Sequence, residues 1–303
     1  MAEKQKYRIF NVVLAHKTYL TPSLMRCVFS GESVRQMKMD APDQRIKLLL
    51  PPTDGVYPEL PDSDEWYRYW LALPKEKRPV MRTYTLREVD AERGEMAVEF
   101  VVHGTEGPAS AWAIQATPGD GLRIVAPCVG DYEGDSGGYE WLPPAEMNHA
   151  LLIGDETALP AIKGILEQLA QQPTPVQVQA FIEVPLAADC VDMSVFAFAE
   201  VHWLPREPRG TPYGEALLES VRAHVRLPEI RPEAEITELH EVAEGELLWE
   251  SACQTTHSRF FGWVAAESSV VKNLRRYLSG ERQVPRDTIT FMAYWSRERQ
   301  RDS

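Results

Sequence analysis

The six residues RTYTLR, from Arg82 to Arg87, place two cations, an aromatic ring and two hydroxyl groups on one short predicted strand. Side chains alternate between the faces of a strand, so Arg82 and Tyr84 are expected on the same face. Thr83 and Thr85 are expected on the opposite face. A guanidinium two residues from a phenol ring could bind an anion such as pyrophosphate and cover a flat conjugated ring. This combination suits a dinucleotide cofactor, although the same residue types are common in half-exposed strands.

A second candidate is the segment GPASAWAIQA, residues 107–116. Pro108 can occupy the first turn of a helix, and the Ala-rich remainder favours helix. The free backbone N–H groups and the positive dipole end of such a helix start would suit a phosphate. A plain connecting helix fits the same pattern equally well.

A third candidate is the loop GDETALP, residues 154–160, which follows an apolar strand and precedes a helix. Ligands of parallel sheets bind at the carboxyl ends of the strands. The loop is not a G-x-G-x-x-G sequence, and Asp155 or Thr157 could simply cap the helix. Glu183 and Arg206 follow the next two strands, where ribose or phosphate would be bound, although paired arginines in a polar loop are usually solvated.

The elements of the first half are strands, which predict an antiparallel sheet or small barrel. The strand that carries Arg82 is expected beside the strand of residues 95–104, and residues 51–66 are expected to form a long loop. The predicted strands cover residues 8–16, 21–30, 44–52, 82–87, 95–104 and 121–130.

In the second half strands alternate with helices, which predicts a parallel sheet of βαβ units. Near its end Tyr294 and Trp295 would either pack at the sheet edge or close over a cofactor. The predicted strands cover residues 149–155, 176–184, 199–206, 258–269 and 288–300, and the predicted helices cover residues 156–172, 211–225 and 270–282.

The 303 residues predict two domains, because a single core rarely serves a chain of this length. We expect a β-barrel domain over residues 1–135, a linker over 136–147 and an α/β domain over 148–303. Residues 229–250 carry eight Glu against one Arg and are predicted to form an acidic surface insertion.

Composition excludes several classes of function. The net charge of −13 argues against nucleic-acid binding. Cys27, Cys128, Cys190 and Cys253 are widely spaced, so they predict reduced thiols and no metal site. The N-terminus has no signal-peptide core and no apolar run would span a bilayer, which predicts a cytoplasmic protein without membrane insertion. Neither a G-x-S-x-G sequence nor a Walker-type phosphate loop is present.

An ordered set of segments resembles the siderophore-interacting protein family of FAD-dependent ferric-siderophore reductases. The segments are MRTYTLR (81–87), EFVVHGTEGPASAWA (99–113), PGDGLRIVAP (118–127), LLIGDETALPAI (151–162), WVAAESSVVKNLRRYL (263–278) and AYWSRER (293–299). The resemblance implies a ferredoxin-reductase-like fold, in which an antiparallel FAD-binding barrel precedes a parallel-sheet NAD(P)H-binding domain.

The resemblance also implies roles for individual residues. Arg82 would hold the FAD pyrophosphate, Tyr84 would lie against the isoalloxazine, and Thr85 would bind near its reactive edge. The other residues that it assigns to FAD are Thr83, Val102, His103, Gly104, Ala109, Ser110 and Trp112. Those that it assigns to the nicotinamide donor are Asp155, Thr157, Ala158 and Glu267, and Arg206 is our candidate for a donor phosphate. Arg45, Lys47 and Lys272 would bind an anionic ferric siderophore.

The implied reaction passes electrons from NADPH or NADH through FAD to Fe(III), with iron as substrate and no protein metal site. Two alternatives remain at this stage. One is a flavin reductase supplied by a ferredoxin-like partner, and the other is a siderophore-binding protein without catalysis. We expect the protein to be a monomer.

Overall fold

The computed structural model describes residues 5–130, 134–228, 246–252 and 258–298. The chain forms two compact units, Met1–Tyr139 and Glu140–Ser303. Each unit has its own sheet, and the two are described separately.

The first unit is built on a seven-stranded antiparallel sheet with the strand order β4-β3-β7-β1-β2-β6-β5. Apolar side chains on the inner face of these strands form its core, together with one side of a helix. The strands are β1 (Tyr7–Thr21), β2 (Leu24–Ser30), β3 (Arg45–Leu50), β4 (Val80–Thr85), β5 (Glu88–Asp90), β6 (Glu95–Val101) and β7 (Gly121–Pro127), and the helices are α1 (Trp66–Ala72) and α2 (Pro108–Gln115).

The expected pairing of the Arg82 strand with residues 95–104 is wrong. Strand β4 pairs with β3, whereas β6 pairs with β2 and with β5. The reason is the turn at Gly94, which has a φ of 67° and joins β5 to β6, so the short strand β5 takes the hairpin position. Strand β4 still lies near β6, because the ring centroids of Tyr84 and Phe100 are 4.9 Å apart. Just after β4, the Arg87 N–H donates to the Ala97 carbonyl at 2.9 Å.

The second unit is built on a six-stranded sheet with the order β10-β9-β8-β12-β13-β11. All of its pairs are parallel except that of β11 with β13. The strands are β8 (His149–Gly154), β9 (Gln177–Leu186), β10 (Ala199–Glu207), β11 (Trp249–Glu250), β12 (Phe260–Glu267) and β13 (Ile289–Trp295). The helices are α3 (Leu159–Ala170), α4 (Glu215–His224) and α5 (Ser268–Arg275), and a π-helical turn, Arg276–Glu281, follows α5.

Two segments differ from the sequence-based expectation. Helix α1 was not predicted, and it follows the expected loop directly. Of the expected acidic insertion, residues 229–245 lie outside the described residues. Its last residues belong to the domain itself, because Leu248 is buried in the core and strand β11 extends the sheet.

Several properties bear on function. Among the described helices, none is both long and apolar enough to cross a membrane. The described residues contain no cluster of three or more His, Cys, Asp or Glu side chains suited to a metal ion. Cys27 and Cys128 are buried and Cys190 is partly exposed, while Cys253 lies outside the described residues.

Candidate functional site

Arg82 is a half-buried cation at the centre of strand β4. Its only hydrogen bond within the described residues goes from Nη1 to the Met81 carbonyl, at 3.0 Å. No described carboxylate forms an ion pair with it, and burial lowers its pKa because the charge is only partly hydrated. Among the described residues, no anion offsets the desolvation of Arg82.

Aromatic rings connect Arg82's strand to helix α2. Tyr84 on β4 lies against Phe100 on β6, with ring centroids 4.9 Å apart. Phe100 in turn lies 6.0 Å from Trp112 on α2, which stacks on Phe29 at 5.8 Å. The strand and the helix are therefore held by a common aromatic core, and Trp112 fixes the position of the helix.

No side chain of the described residues caps the start of helix α2. Gly107 is the N-cap residue and Pro108 has no N–H, so the N–H groups of Ala109 and Ser110 lack intrahelical acceptors. A Cβ at Gly107 would lie 3.0 Å from Cε1 of His103, so glycine leaves room for that ring. The helix start can accept an anionic group at its exposed N–H groups.

The loop before α2 is fastened to the helix through Ser110. The Ser110 hydroxyl accepts the His103 N–H at 3.0 Å and donates to the Gly104 carbonyl at 2.6 Å. Gly104 has a φ of 84°, which glycine adopts without strain, and Val102 is buried in the core. The predicted FAD residues therefore form one ordered corner of the first unit. Within the described residues, a cation without a carboxylate partner and a helix start without a side-chain cap fit a pyrophosphate.

Two of the three predicted siderophore-binding residues lie together. Arg45 and Lys47 share the outer face of β3, opposite Thr85 and Thr83 of β4. The Lys47 ammonium donates to the Thr83 hydroxyl at 2.6 Å. Burial, and secondarily the charge of Arg45, lowers the pKa of Lys47. The charge of a bound anion would stabilise the ammonium and raise its pKa again. Lys272 lies on α5 in the second unit.

In the second unit the predicted donor residues converge where the parallel strands end. Asp155, directly after β8, is buried and accepts four hydrogen bonds. Its Oδ1 accepts the Thr157 N–H at 2.9 Å and the Thr157 hydroxyl at 2.5 Å. Its Oδ2 accepts the Glu267 N–H and the Trp295 Nε1–H, both at 2.9 Å. Asp155 therefore ties together the ends of β8, β12 and β13.

Glu267 caps helix α5. Its carboxylate accepts the N–H of Ser269 at 2.8 Å and the N–H of Arg297 at 3.3 Å. Ala158, the N-cap residue of α3, is fully buried, whereas Thr157 is half-buried. Through these contacts Asp155 and Glu267 organise the loops at the strand ends. Contact with nicotinamide stays a prediction for both.

Arg206, near the end of β10, is held by two carboxylates. Nη2 donates to Glu156 at 2.6 Å, and Nη1 donates to Glu156 and to Glu183, each at 3.0 Å. The Tyr213 ring covers the guanidinium, whose carbon lies 4.0 Å from the ring centroid. The side chain is therefore paired within the protein, and a phosphate would have to compete with both carboxylates. A phosphate contact stays a prediction that this geometry does not favour.

Sequence reasoning missed several residues of these sites. Glu156 lies in the loop GDETALP, but its partner Arg206 is 50 residues away in the chain. Phe29 and Phe100 read as ordinary core residues. Trp295 ends β13, which lies between β12 and β11 and is therefore not an edge strand. It donates to Asp155, and its ring lies 5.4 Å from that of Tyr213. Closure of this ring over a cofactor stays a prediction. The alternation of apolar residues around Phe100 was the one sequence signal that indicated a position facing the core for that ring.

The ionisation of Asp155 should make stability depend on pH. Burial, together with the neighbouring Glu156 carboxylate, raises its pKa from 3.8 to about 6. Between about pH 4 and pH 6 the folded protein therefore holds a proton that the unfolded chain has lost, so stability falls as pH rises through this window. We expect this group to lower the free energy of unfolding by up to about 3 kcal/mol from pH 4 to pH 6.

Asp155→Asn should remove this part of the pH dependence of the free energy of unfolding. Urea unfolding of both proteins at intervals between pH 4 and pH 7 measures it. Equal slopes for wild type and variant would show that Asp155 does not titrate in this range.

Two family descriptions match consecutive parts of the chain. The Siderophore-interacting FAD-binding domain matches residues 13–131, and the Siderophore-interacting protein family matches residues 147–298. The two matches together cover most of both sheets.

Curated relatives match over nearly the whole chain. The ferric vibriobactin reductase ViuB of Vibrio cholerae is 27% identical over 281 residues, covering 93% of this chain and 87% of the relative. The NADPH-dependent ferric-chelate reductase of Escherichia coli is 25% identical over 277 residues, covering 91% of this chain and 88% of the relative.

Solved structures share the fold. A siderophore utilization protein from T. fusca has a TM-score of 0.69 and 24% identity, covering 97% of this chain and 95% of that one. The ferredoxin reductase of carbazole 1,9a-dioxygenase has a TM-score of 0.58 and 14% identity, covering 95% of this chain and 70% of that one. The predicted ferredoxin-reductase-like fold, a barrel followed by an α/β domain, is confirmed.

Proposed function

The chain belongs to the siderophore-interacting protein family, and from that membership we propose that it is a ferric-siderophore reductase using FAD and a nicotinamide donor. The relatives named as ferric vibriobactin reductase and ferric-chelate reductase support this assignment. The observation that carries it is the aromatic core that connects the strand of Arg82 to the start of helix α2. Among the described residues, no carboxylate pairs with Arg82 and no side chain caps that helix start. Bound FAD would supply the conversion of a two-electron hydride donor into single-electron deliveries.

The residues of the first unit would bind and orient that cofactor. Arg82 would pair with the pyrophosphate, and the N–H groups of Ala109 and Ser110 would donate to its oxygens. Tyr84 would cover the ring system, and burial raises the pKa of its phenol so that it stays neutral. Thr85, itself buried, would donate its hydroxyl close to the ring.

The outer face of β3 would receive the iron complex. An anionic ferric siderophore would pair with Lys47 and Arg45, and its charge would offset their mutual repulsion. Iron leaves after reduction because Fe(II) is held more weakly by hard oxygen ligands. No side chain of the protein is required as an acid or a base.

A visible spectrum of the purified protein tests the proposal. We expect a bound flavin whose absorbance near 450 nm is bleached by NADH or NADPH and restored by a ferric siderophore. Bleaching only by a reduced ferredoxin would replace the nicotinamide donor with a protein partner. Colourless protein without extractable flavin would favour a siderophore-binding protein and refute the enzyme assignment. A cytoplasmic location and a monomeric state are part of the proposal, and cell fractionation and sedimentation test them.

A further inference from the structure

The buried ion pairs of Arg206 bear on which nicotinamide donor the protein accepts. This inference rests on the proposed function. Enzymes that take NADPH commonly present an arginine to its 2′-phosphate, at the carboxyl ends of parallel strands. Among the described residues of the second unit, Arg206 is the arginine that lies on a strand, β10, near the carboxyl ends of the parallel strands. It is 8% exposed. Its Nη atoms are occupied by carboxylates at 2.6 to 3.0 Å.

The two carboxylates that hold Arg206 are themselves fixed in place. Glu183 is 1% exposed, and it also accepts the Gly214 N–H through both of its oxygens, at 3.0 and 3.1 Å. Gly214 has a φ of 78°, and a Cβ there would lie 2.4 Å from a methyl group of Val270. The loop before α4 is therefore closely packed, and Glu183 cannot turn away from Arg206 without leaving that N–H unsatisfied. Glu156 is bound through both oxygens by the guanidinium.

The charge around Arg206 is unfavourable for another anion. Four carboxylates lie at the carboxyl ends of these strands. Only two arginines of the described residues lie over the Tyr213 ring. The carboxylates are those of Asp155, Glu156, Glu183 and Glu267, and the arginines are Arg206 and the exposed Arg297. A phosphate that approached Arg206 would meet two buried negative charges already paired with it, and close like charges cost several kcal/mol.

We propose that the donor site prefers NADH over NADPH, and that Glu156 determines this preference by keeping Arg206 from binding a 2′-phosphate. NADH carries a hydroxyl at that position, which adds no charge to the acidic edge. Arg209, three residues after Arg206, is exposed and hydrated, so its attraction for a phosphate is weak compared with buried groups.

Calorimetric titration of the flavin-loaded protein with ADP-ribose and with 2′-phospho-ADP-ribose tests the proposal without turnover. We expect wild type to bind ADP-ribose at least about tenfold more tightly than its 2′-phosphate. Glu156→Gln keeps the size of the side chain and removes one charge, so it should reduce that preference by about tenfold. Glu281→Gln is the matched control, since Glu281 pairs with Arg222 at the surface of the same unit and should leave the ratio unchanged.

The wild-type ratio decides the question even if the Glu156 variant does not fold. Tighter binding of the 2′-phosphate, or no binding of either nucleotide, would overturn the preference for NADH. A wild-type preference that survives Glu156→Gln unchanged would overturn the role of Glu156. These outcomes differ from failure of the proposed function, in which neither NADH nor NADPH bleaches the flavin.

Discussion

Replacing Arg82 with alanine is expected to weaken FAD binding by at least about a hundredfold, so that most of the purified variant is colourless. The substitution removes two charge-assisted hydrogen bonds to the pyrophosphate, each contributing about 1.5 to 3 kcal/mol. The fold should survive, because Arg82 makes only one hydrogen bond within the described residues, to the neighbouring carbonyl. Flavin absorbance per mole of protein, followed by titration of apoprotein with FAD, measures the effect.

Arg35→Ala is the matched control in the same unit. Arg35 is exposed and pairs with Glu32 at 3.1 Å, far from strand β4 in the chain. The control should keep its full flavin content, and the loss of its hydrogen bonds to the Ala91 and Glu92 carbonyls should lower the melting temperature only slightly. Full flavin content in Arg82→Ala as well would show that Arg82 only supports the strand.

Replacing Asp155 with alanine is expected to destabilise the second unit by about 3 to 5 kcal/mol. The buried donors that point at its carboxylate belong to three segments, represented by Thr157, Glu267 and Trp295. Alanine would leave these donors unsatisfied, and each such buried group costs about 1 to 3 kcal/mol, partly offset by relaxation of the loops. Urea unfolding at pH 7, followed by tryptophan fluorescence, measures the loss.

The control for Asp155 is Asp192→Ala in the same unit. Asp192 is exposed and accepts the Ser194 N–H at 2.8 Å in a surface turn. Its loss should cost less than about 1 kcal/mol. If both variants lose equally little stability, the network around Asp155 does not hold the strand ends together.

Most of the fold could be predicted from the sequence because its signals are local. The apolar run from Ala150 to Ile153 is buried on both faces, as expected for a central parallel strand, and α3 begins where Pro160 permits a first turn. Helix α1 was missed because its seven residues include four aromatic rings, which favour strands, and because none of its residues is buried. The pairing of β4 was missed because strand order depends on partners distant in the chain.

The candidate sites also differ in how far local sequence signals predict them. The corner around Arg82 and Ser110 was accessible because both elements carry local signals, a strand that alternates and a helix start after Gly107. The environment of Arg206 could not be predicted, because the residues that follow it are exposed while its carboxylate partners come from β9 and from the loop after β8. A paired and a solvated arginine have the same sequence pattern, and only the fold distinguishes them.

The central claim is that electrons pass from a nicotinamide donor through this protein to a ferric siderophore. Its most direct test is an anaerobic assay that follows nicotinamide oxidation and traps Fe(II) with a colorimetric chelator. With the flavin-loaded protein we expect about two Fe(II) for each nicotinamide oxidised, and no Fe(II) after FAD is removed. Oxidation of the nicotinamide without any Fe(II), or Fe(II) release that does not depend on FAD, would contradict the account.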